Sequence, residues 1–282
     1  MPADERERSS AHVSADELGD DAGMSGDAEP SHDLEPNGVS RLDDNAPDLS
    51  SAEWLEVLAS GDVEIEGRLP WSSNFSFLVS VRCGDRFVRA VYKPGRGERH
   101  LWDFGDSLFR REIAAYELSA TLGLALVPET VLRIDAPLGE GSLQRFVDAD
   151  FEQHYFTLVA DPGCDPRLRE LAGLDLLLNN ADRKSGHVLL DVQGSIWGID
   201  NGLCFHSEPK LRTVMWDFAG EPLPDVIVEA AARLCDEVPD SICSLLSERE
   251  AIALTSRARA LGRRPKFPAP GADHRAYPWP LV

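Results

Sequence analysis

Cysteine is scarce and shows no pairing pattern. The five, Cys83, Cys164, Cys204, Cys235 and Cys243, contain no C-x-x-C spacing, which speaks against a zinc site and leaves an odd thiol over in any disulfide framework. They read as reduced, mostly buried thiols. Positive charge is short as well: 28 Lys and Arg stand against 49 Asp and Glu, a formal net charge of -21, with no basic patch to offset it. That balance argues against nucleic acid and anionic membrane surfaces as partners. No apolar run is long enough to span a bilayer, and the opening MPADERERSSAHVSADELGD has neither a basic n-region nor an apolar h-region, so the expected location is cytoplasmic. No internal repeat is visible.

Branched and aromatic residues are almost missing from residues 1–49, which are rich in Asp, Glu, Ser, Gly and Pro. Such a stretch buries too little apolar surface to offset the entropy of ordering, so it reads as a disordered acidic tail. A solvated spacer is the preferred role; a regulatory or partner-binding arm is the alternative. Order begins at Ser50, where Ser50-x-x-Glu53 makes a capping box ahead of Trp54, Leu55 and Leu58. Three strand-like runs follow, VEIEGRLP, SFLVSVRC and RFVRAVYKP, with Cys83, Gly84 and Asp85 as a hairpin turn. The turn between the first two holds Ser72, Ser73 and Asn74, small polar residues able to offer donors to phosphate, although an ordinary hairpin loop has the same composition.

Lys93 closes the third run. A helix capped by Ser107 and ended by Gly123 comes next, with Phe109, Ile113, Tyr116 and Ala120 at helical spacing and Glu112 beside that stripe. PETVLRI and SLQRFV complete a sheet of about five strands. Helical patterns then dominate, in PRLRELAGLDLLLNN, near 225–237 and over 247–261, before a Pro-rich coil, 266–282, expected to lay Trp279 and Leu281 on the body. The expected fold class is therefore α+β with two lobes, 50–147 and 148–265, and a cleft at their junction.

The chemistry concentrates in LDLLLNNADRKSGHVLLDVQGSIWGIDNGLCF, residues 174–205, where Asp182 follows a helix and Asp200 ends a short hairpin. A carboxylate for the accepting hydroxyl and ligands for nucleotide-bound metal have this layout in kinases. His154, His206 and Cys204 match no zinc spacing and are expected to be satisfied or exposed side chains.

Five motifs in order, Tyr92-Lys93-Pro94, Arg111-Glu112-Ile113-Ala114-Ala115-Tyr116, Ser142-Leu143-Gln144-Arg145-Phe146-Val147, Asn180-Ala181-Asp182-Arg183 and Ile199-Asp200-Asn201-Gly202-Leu203-Cys204-Phe205, resemble the phosphatidylinositol 3- and 4-kinase-like branch of the protein-kinase-like superfamily, nearest its type II phosphatidylinositol 4-kinases and a group of bacterial relatives. The resemblance implies a two-lobed kinase-like fold and an ATP-dependent phosphotransferase using Mg²⁺ or Mn²⁺. It implies Lys93 on the α- and β-phosphates with Glu112 as its ion-pair partner, Gln144, Arg145, Phe146 and Val147 along the adenine, and Ser72, Ser73 and Asn74 over the phosphates. Asp182 would orient and deprotonate the acceptor hydroxyl, and Asp200 would hold the metal.

Two positions depart from the family. His187 stands where it usually has a metal-binding Asn, and imidazole suits Mn²⁺ or Zn²⁺ better than Mg²⁺. His187 is thus expected to ligate Mn²⁺, to hydrogen-bond a phosphate, or to mark a pseudokinase that binds nucleotide without turnover. The cysteine cluster that attaches type II lipid kinases to membranes has no counterpart here. The expected acceptor is accordingly a protein hydroxyl or a soluble small molecule rather than a phosphoinositide, with nucleotidyl transfer from reversed ATP as a further alternative.

Overall fold

The computed structural model describes residues 49–69, 75–105, 107–271 and 276–282. The expected tail up to residue 48 and the phosphate-facing turn with Ser72, Ser73 and Asn74 lie outside the described residues.

Ser50 and Glu53 form the expected capping box, the Ser50 N–H donating to Glu53 Oε2 at 2.9 Å, and start helix α1, Ser51–Ser60. Strands β1, Asp62–Arg68, β2, Phe77–Cys83, and β3, Arg86–Pro94, follow as an antiparallel meander. Helix α2, Leu108–Thr121, precedes β4, Thr130–Arg133, and β5, Gly141–Arg145. The sheet order is β1-β2-β3-β5-β4, so the chain crosses over through α2 and returns to pair β5 beside β3. β2 is buried on both faces from Phe77 to Val81, which explains its nearly unbroken apolar text.

The remainder is mainly helical: α3, Tyr155–Leu158, α4, Asp165–Leu178, α5, Asp225–Asp236, α6, Asp240–Cys243, and α7, Glu248–Arg263, with a small hairpin of β6, Val188–Leu190, and β7, Ile196–Gly198. The fold is α+β and kinase-like in its arrangement of a five-stranded antiparallel sheet and one long helix ahead of a helical half. Among the described residues two hydrophobic clusters are the largest. One joins Trp54, Val57 and Leu58 of α1 to Val79, Tyr92 and Leu143 of the sheet. The other is built on Leu168, Leu171, Leu174 and Leu178 of α4, and α2 enters it through Ala114, Ala115 and Leu118. Helix α2 thus touches β4 and β5 and commits Ala114, Ala115, Tyr116 and Leu118 to the helical half, whereas Ala120 of the expected stripe is exposed.

Local expectations differ from the structure at several points; of the cysteines, Cys164 and Cys204 are buried, Cys83 and Cys235 half-buried and Cys243 exposed. Ser107 occupies the N-cap position of α2 in a left-handed conformation and makes no side-chain cap; Glu98 Oε1 accepts from the Phe109 N–H at 2.7 Å instead. Ile134, read as strand, lies beyond β4 and is exposed. Of the two residues expected to pack from the Pro-rich coil, Leu281 is tethered by its carbonyl to the Ser185 N–H at 2.8 Å, whereas Trp279 is 87% exposed.

Register between β3 and β5 sets the height of Lys93, which lies opposite Ser142, next to the Pro94 and Gly141 pair. A Cβ on Gly141 would fall 2.4 Å from the Lys93 carbonyl oxygen and 2.8 Å from Pro94 Cα, both backbone atoms that cannot swing aside. Gly141→Ala is expected to destabilise the protein by about 1–3 kcal/mol, read as a lowered midpoint in urea denaturation monitored by circular dichroism.

Candidate active site

Helix α4 stops because Asn179 turns left-handed, with φ 53° and ψ 47°, a conformation Asn tolerates better than other non-glycine residues. Its side chain then fixes the loops around it: Nδ2 donates to the carbonyls of His206 and Glu208 at 2.9 and 2.7 Å, and Oδ1 accepts from the Lys210 N–H at 2.8 Å. Asn180 Oδ1 accepts the Asp182 N–H at 2.9 Å, which orients the first expected carboxylate. Asn180 is held in turn by Asp175.

Arg183 is the largest fully buried side chain among the described residues. It makes two 2.9 Å bonds to the carboxylate of Asp175, which sits at 1% exposure inside the apolar run of α4. Its remaining donors reach the Ile199 carbonyl and Asn201 Oδ1, both at 2.7 Å. A bidentate pair so placed is strongly oriented, and it welds the loop carrying Asp182 to the end of the hairpin carrying Asp200.

The second assembly centres on Lys93. Its ammonium donates to Glu112 Oε1 at 2.5 Å and to Asp200 Oδ1 at 2.8 Å. Glu112, 3% exposed at its side chain, uses Oε2 to accept from the Asn201 N–H at 2.9 Å. Burial works against the Lys93 charge, but the carboxylates of Asp200 and Glu112 outweigh it and hold the pKa above the ordinary lysine range. For Asp200 burial acts upward, and Lys93 and then His187 overcome it, leaving the carboxyl well below its usual range. Asp200 also adopts a positive φ of 57°, which turns the chain at the hairpin's end; such strain in a non-glycine residue persists where its surroundings over-determine it.

Asp182 behaves differently. Burial pushes its carboxyl up to about 6, the Lys184 ammonium 3.2 Å away only partly opposing the shift. His187 is pushed by burial down to about 4 and is neutral near pH 7. Its Nδ1 faces the Lys184 N–H at 3.5 Å and its Nε2 faces Asp200 Oδ2 at 3.2 Å. These partners assign the ring proton to Nε2, so the imidazole presents a donor toward Asp200.

Lys93, Glu112, Asp182 and Asp200 line one cavity of about 120 Å³, together with Glu98, Arg99, Leu101 and neighbouring apolar groups. Four separate parts of the chain thus bring the four expected residues together. The four residues expected along the adenine, Gln144, Arg145, Phe146 and Val147, do not line this cavity. Gln144 is buried and donates to Thr130 Oγ1 at 2.9 Å. The N–H groups of Arg145 and Phe146 donate to the Glu129 and Arg89 carbonyls. The Arg145 guanidinium lies between the rings of Trp54 and Trp197, 5.0 and 5.2 Å from their centroids, a stacked cation joining α1 to β7. Val147 packs with Leu189 and Trp197.

Lys184, Asp175, Arg183 and Asn201 were not assigned roles from the sequence. The available signals were a lysine two residues after Asp182 and an aspartate inside an otherwise apolar helix. His206 contacts the Asp103 carbonyl through Nε2 at 2.9 Å. Among the described residues, no group of three or more His, Cys, Asp and Glu side chains is arranged to hold a metal ion, and no helix is long and apolar enough to cross a membrane.

Protein Rv2133c of Mycobacterium tuberculosis is 40% identical over 262 residues, which cover 79% of this chain and 94% of that protein. Among solved structures, that of hydra Fam20 with sugar aligns over 77% of this chain and 88% of its own, at 16% identity and a TM-score of 0.46. The Helicobacter pylori proinflammatory kinase CtkA aligns over 74% of this chain and 94% of its own, at 13% identity and a TM-score of 0.43. Both structural likenesses are remote. No family model matches the chain.

The pairing of Arg183 with Asp175 makes a stability prediction. Arg183→Met alone strands a buried carboxylate and is expected to cost about 3–5 kcal/mol. Arg183→Met combined with Asp175→Leu is expected to cost less than the sum of the two single changes, measured by urea denaturation of all three variants.

Proposed function

The chain belongs to the same family as Protein Rv2133c, and we propose that it is an ATP-dependent phosphotransferase, its cleft set between a lobe of residues 50–147 and a lobe of residues 148–265. The observation that carries the reading is the convergence of Lys93, Glu112, Asp182 and Asp200 on one cavity from β3, α2, the loop after α4 and the end of the β6–β7 hairpin. Phosphoryl transfer asks a protein chiefly to position its reactants and neutralise charge, and this set supplies both.

In this reading Lys93 contacts the α- and β-phosphates and is kept in place by Glu112, itself held by the Asn201 N–H. Asp182 orients the acceptor hydroxyl and takes its proton, a role suited to a carboxyl whose pKa burial has raised toward neutrality. Lys184, beside Asp182, balances negative charge on the group in transfer. Asp200, whose side chain is 43% exposed, offers a carboxylate to Mg²⁺ or Mn²⁺. Such an ion takes one or two protein carboxylates and completes its shell with phosphate oxygens and water, which fits the lack of a preassembled three-ligand group among the described residues. When bound, the ion neutralises phosphate charge. His187, with its proton on Nε2, serves as a donor to Asp200 or to a phosphate oxygen rather than as a metal ligand.

The motif likeness to phosphatidylinositol 3- and 4-kinases gives the branch, and the acceptor is a protein hydroxyl or a soluble small molecule. His187 supports a second reading, a protein that binds nucleotide without turning it over.

Two measurements separate the readings. Incubation with γ-phosphate-labelled ATP and Mg²⁺ or Mn²⁺ is expected to label the wild-type protein, while Asp182→Asn keeps nucleotide binding and lowers transfer about 10²- to 10⁴-fold; equal transfer by the variant contradicts the assigned role. His187→Asn is expected to raise Mg²⁺-dependent transfer, and no gain together with metal-independent ATP binding favours the non-catalytic reading.

A further inference from the structure

Helix α2 carries two buried charged residues in succession, Arg111 and Glu112. Successive residues on a helix are about 100° apart around its axis, so the two side chains leave toward different neighbours. Glu112 reaches Lys93 and the Asn201 N–H, as described. Arg111 reaches the other way, its Nη2 donating to Glu250 Oε1 in the first turn of α7. Both partners are nearly enclosed, with side chains 10% and 12% exposed.

Glu250 has a second task. Its Oε2 accepts from the backbone N–H and the hydroxyl of Ser247, each at 2.8 Å, completing the capping box that begins α7. One carboxylate therefore starts α7 with one oxygen and grips α2 with the other. Helix α7 packs on α4 and α5 and gives Leu254 and Ala258 to the larger hydrophobic cluster, which makes it an anchor for Arg111. At the start of α2, Glu98 accepts the Phe109 N–H, which leaves the helix fixed at its first turn and again at Arg111.

We infer that the Arg111–Glu250 pair is a positioning device that locks α2 at the rotation where Glu112 meets Lys93, so that the cleft is assembled before any nucleotide arrives. Its geometry stands apart from the functional reading above; its consequence for ligand binding rests on that reading. Rotation of α2 would carry Glu112 off the Lys93 ammonium, and the ion pair on the adjacent residue, about 100° away around the axis, opposes that rotation. Neither Arg111 nor Glu250 touches the cleft, so both act through Glu112.

The test uses the full chain with Arg111→Met, Glu250→Gln and Arg111→Lys. Glu250→Gln keeps an acceptor for Ser247, and it carries the test should Arg111→Met fail to fold. Acetylation of Lys93 by an amine-reactive reagent, followed by peptide mass spectrometry and scored against exposed Lys266, reads how tightly the ammonium is held and needs no nucleotide. The expected result is a rise of about tenfold in Lys93 acetylation, with a comparable loss of ATP affinity by calorimetry, for Arg111→Met and Glu250→Gln, and recovery of both in Arg111→Lys. A lowered thermal midpoint with Lys93 acetylation and ATP affinity at wild-type levels would mean that the pair is only structural and would overturn the inference. Should the wild-type protein bind no ATP, the functional reading fails by itself, and the acetylation ratio still decides the positioning role.

Discussion

The site depends on one shared cation. Lys93 sits between Glu112 and Asp200, carboxylates 19 and 107 positions further along the chain, and without it the nearly enclosed Glu112 would be left with no cation to answer its charge or that of Asp200 beside it. Buried like charges are costly unless paired. The ammonium makes the meeting of β3, α2 and the β6–β7 hairpin favourable, and in doing so it defines the cleft. Every other feature of the site can be read as holding one of these three groups still.

A second buried cation, Arg183, does for the loops what Lys93 does for the cleft. It ties Asp175 of α4 to the Ile199 carbonyl and Asn201. Asn201 then joins the two networks, accepting from Arg183 with its side chain and donating to Glu112 with its backbone. Asp182 and Asp200 are consequently set by one continuous set of bonds, yet in different environments: Asp200 is charged beside Lys93, and Asp182 is raised toward neutrality by burial. Two carboxylates held close with separated pKa values make a natural division between a charge-holding group and a proton acceptor.

Much of this was legible because it is written locally. The capping box at Ser50, the three-strand meander, the helix through Glu112 and the β6–β7 hairpin follow from caps, turns and periodicity. Lys93, Glu112, Asp182 and Asp200 stood out as charged residues at the ends or edges of apolar runs. What was not legible depends on contacts between distant segments. Arg145 lies at the end of a strand expected to face adenine, and only the approach of Trp54 from α1 and Trp197 from β7 turns its side chain into a stacked cation. Asp175 and Arg183 are eight residues apart on a helix and the loop beyond it, and nothing in their spacing announces that the helix stop at Asn179 swings one onto the other. Ser107 has the right type for a cap, but its left-handed backbone passes that task to Glu98, nine positions earlier.

The account stands most directly on calorimetric titration of ATP into the purified wild-type protein with Mg²⁺, with Mn²⁺ and with EDTA, alongside Asp200→Ala. It predicts saturable binding to the wild-type protein that requires a divalent ion and is lost in the variant. Absence of ATP binding under all three conditions would contradict the claim that the Lys93, Glu112 and Asp200 assembly is a nucleotide site.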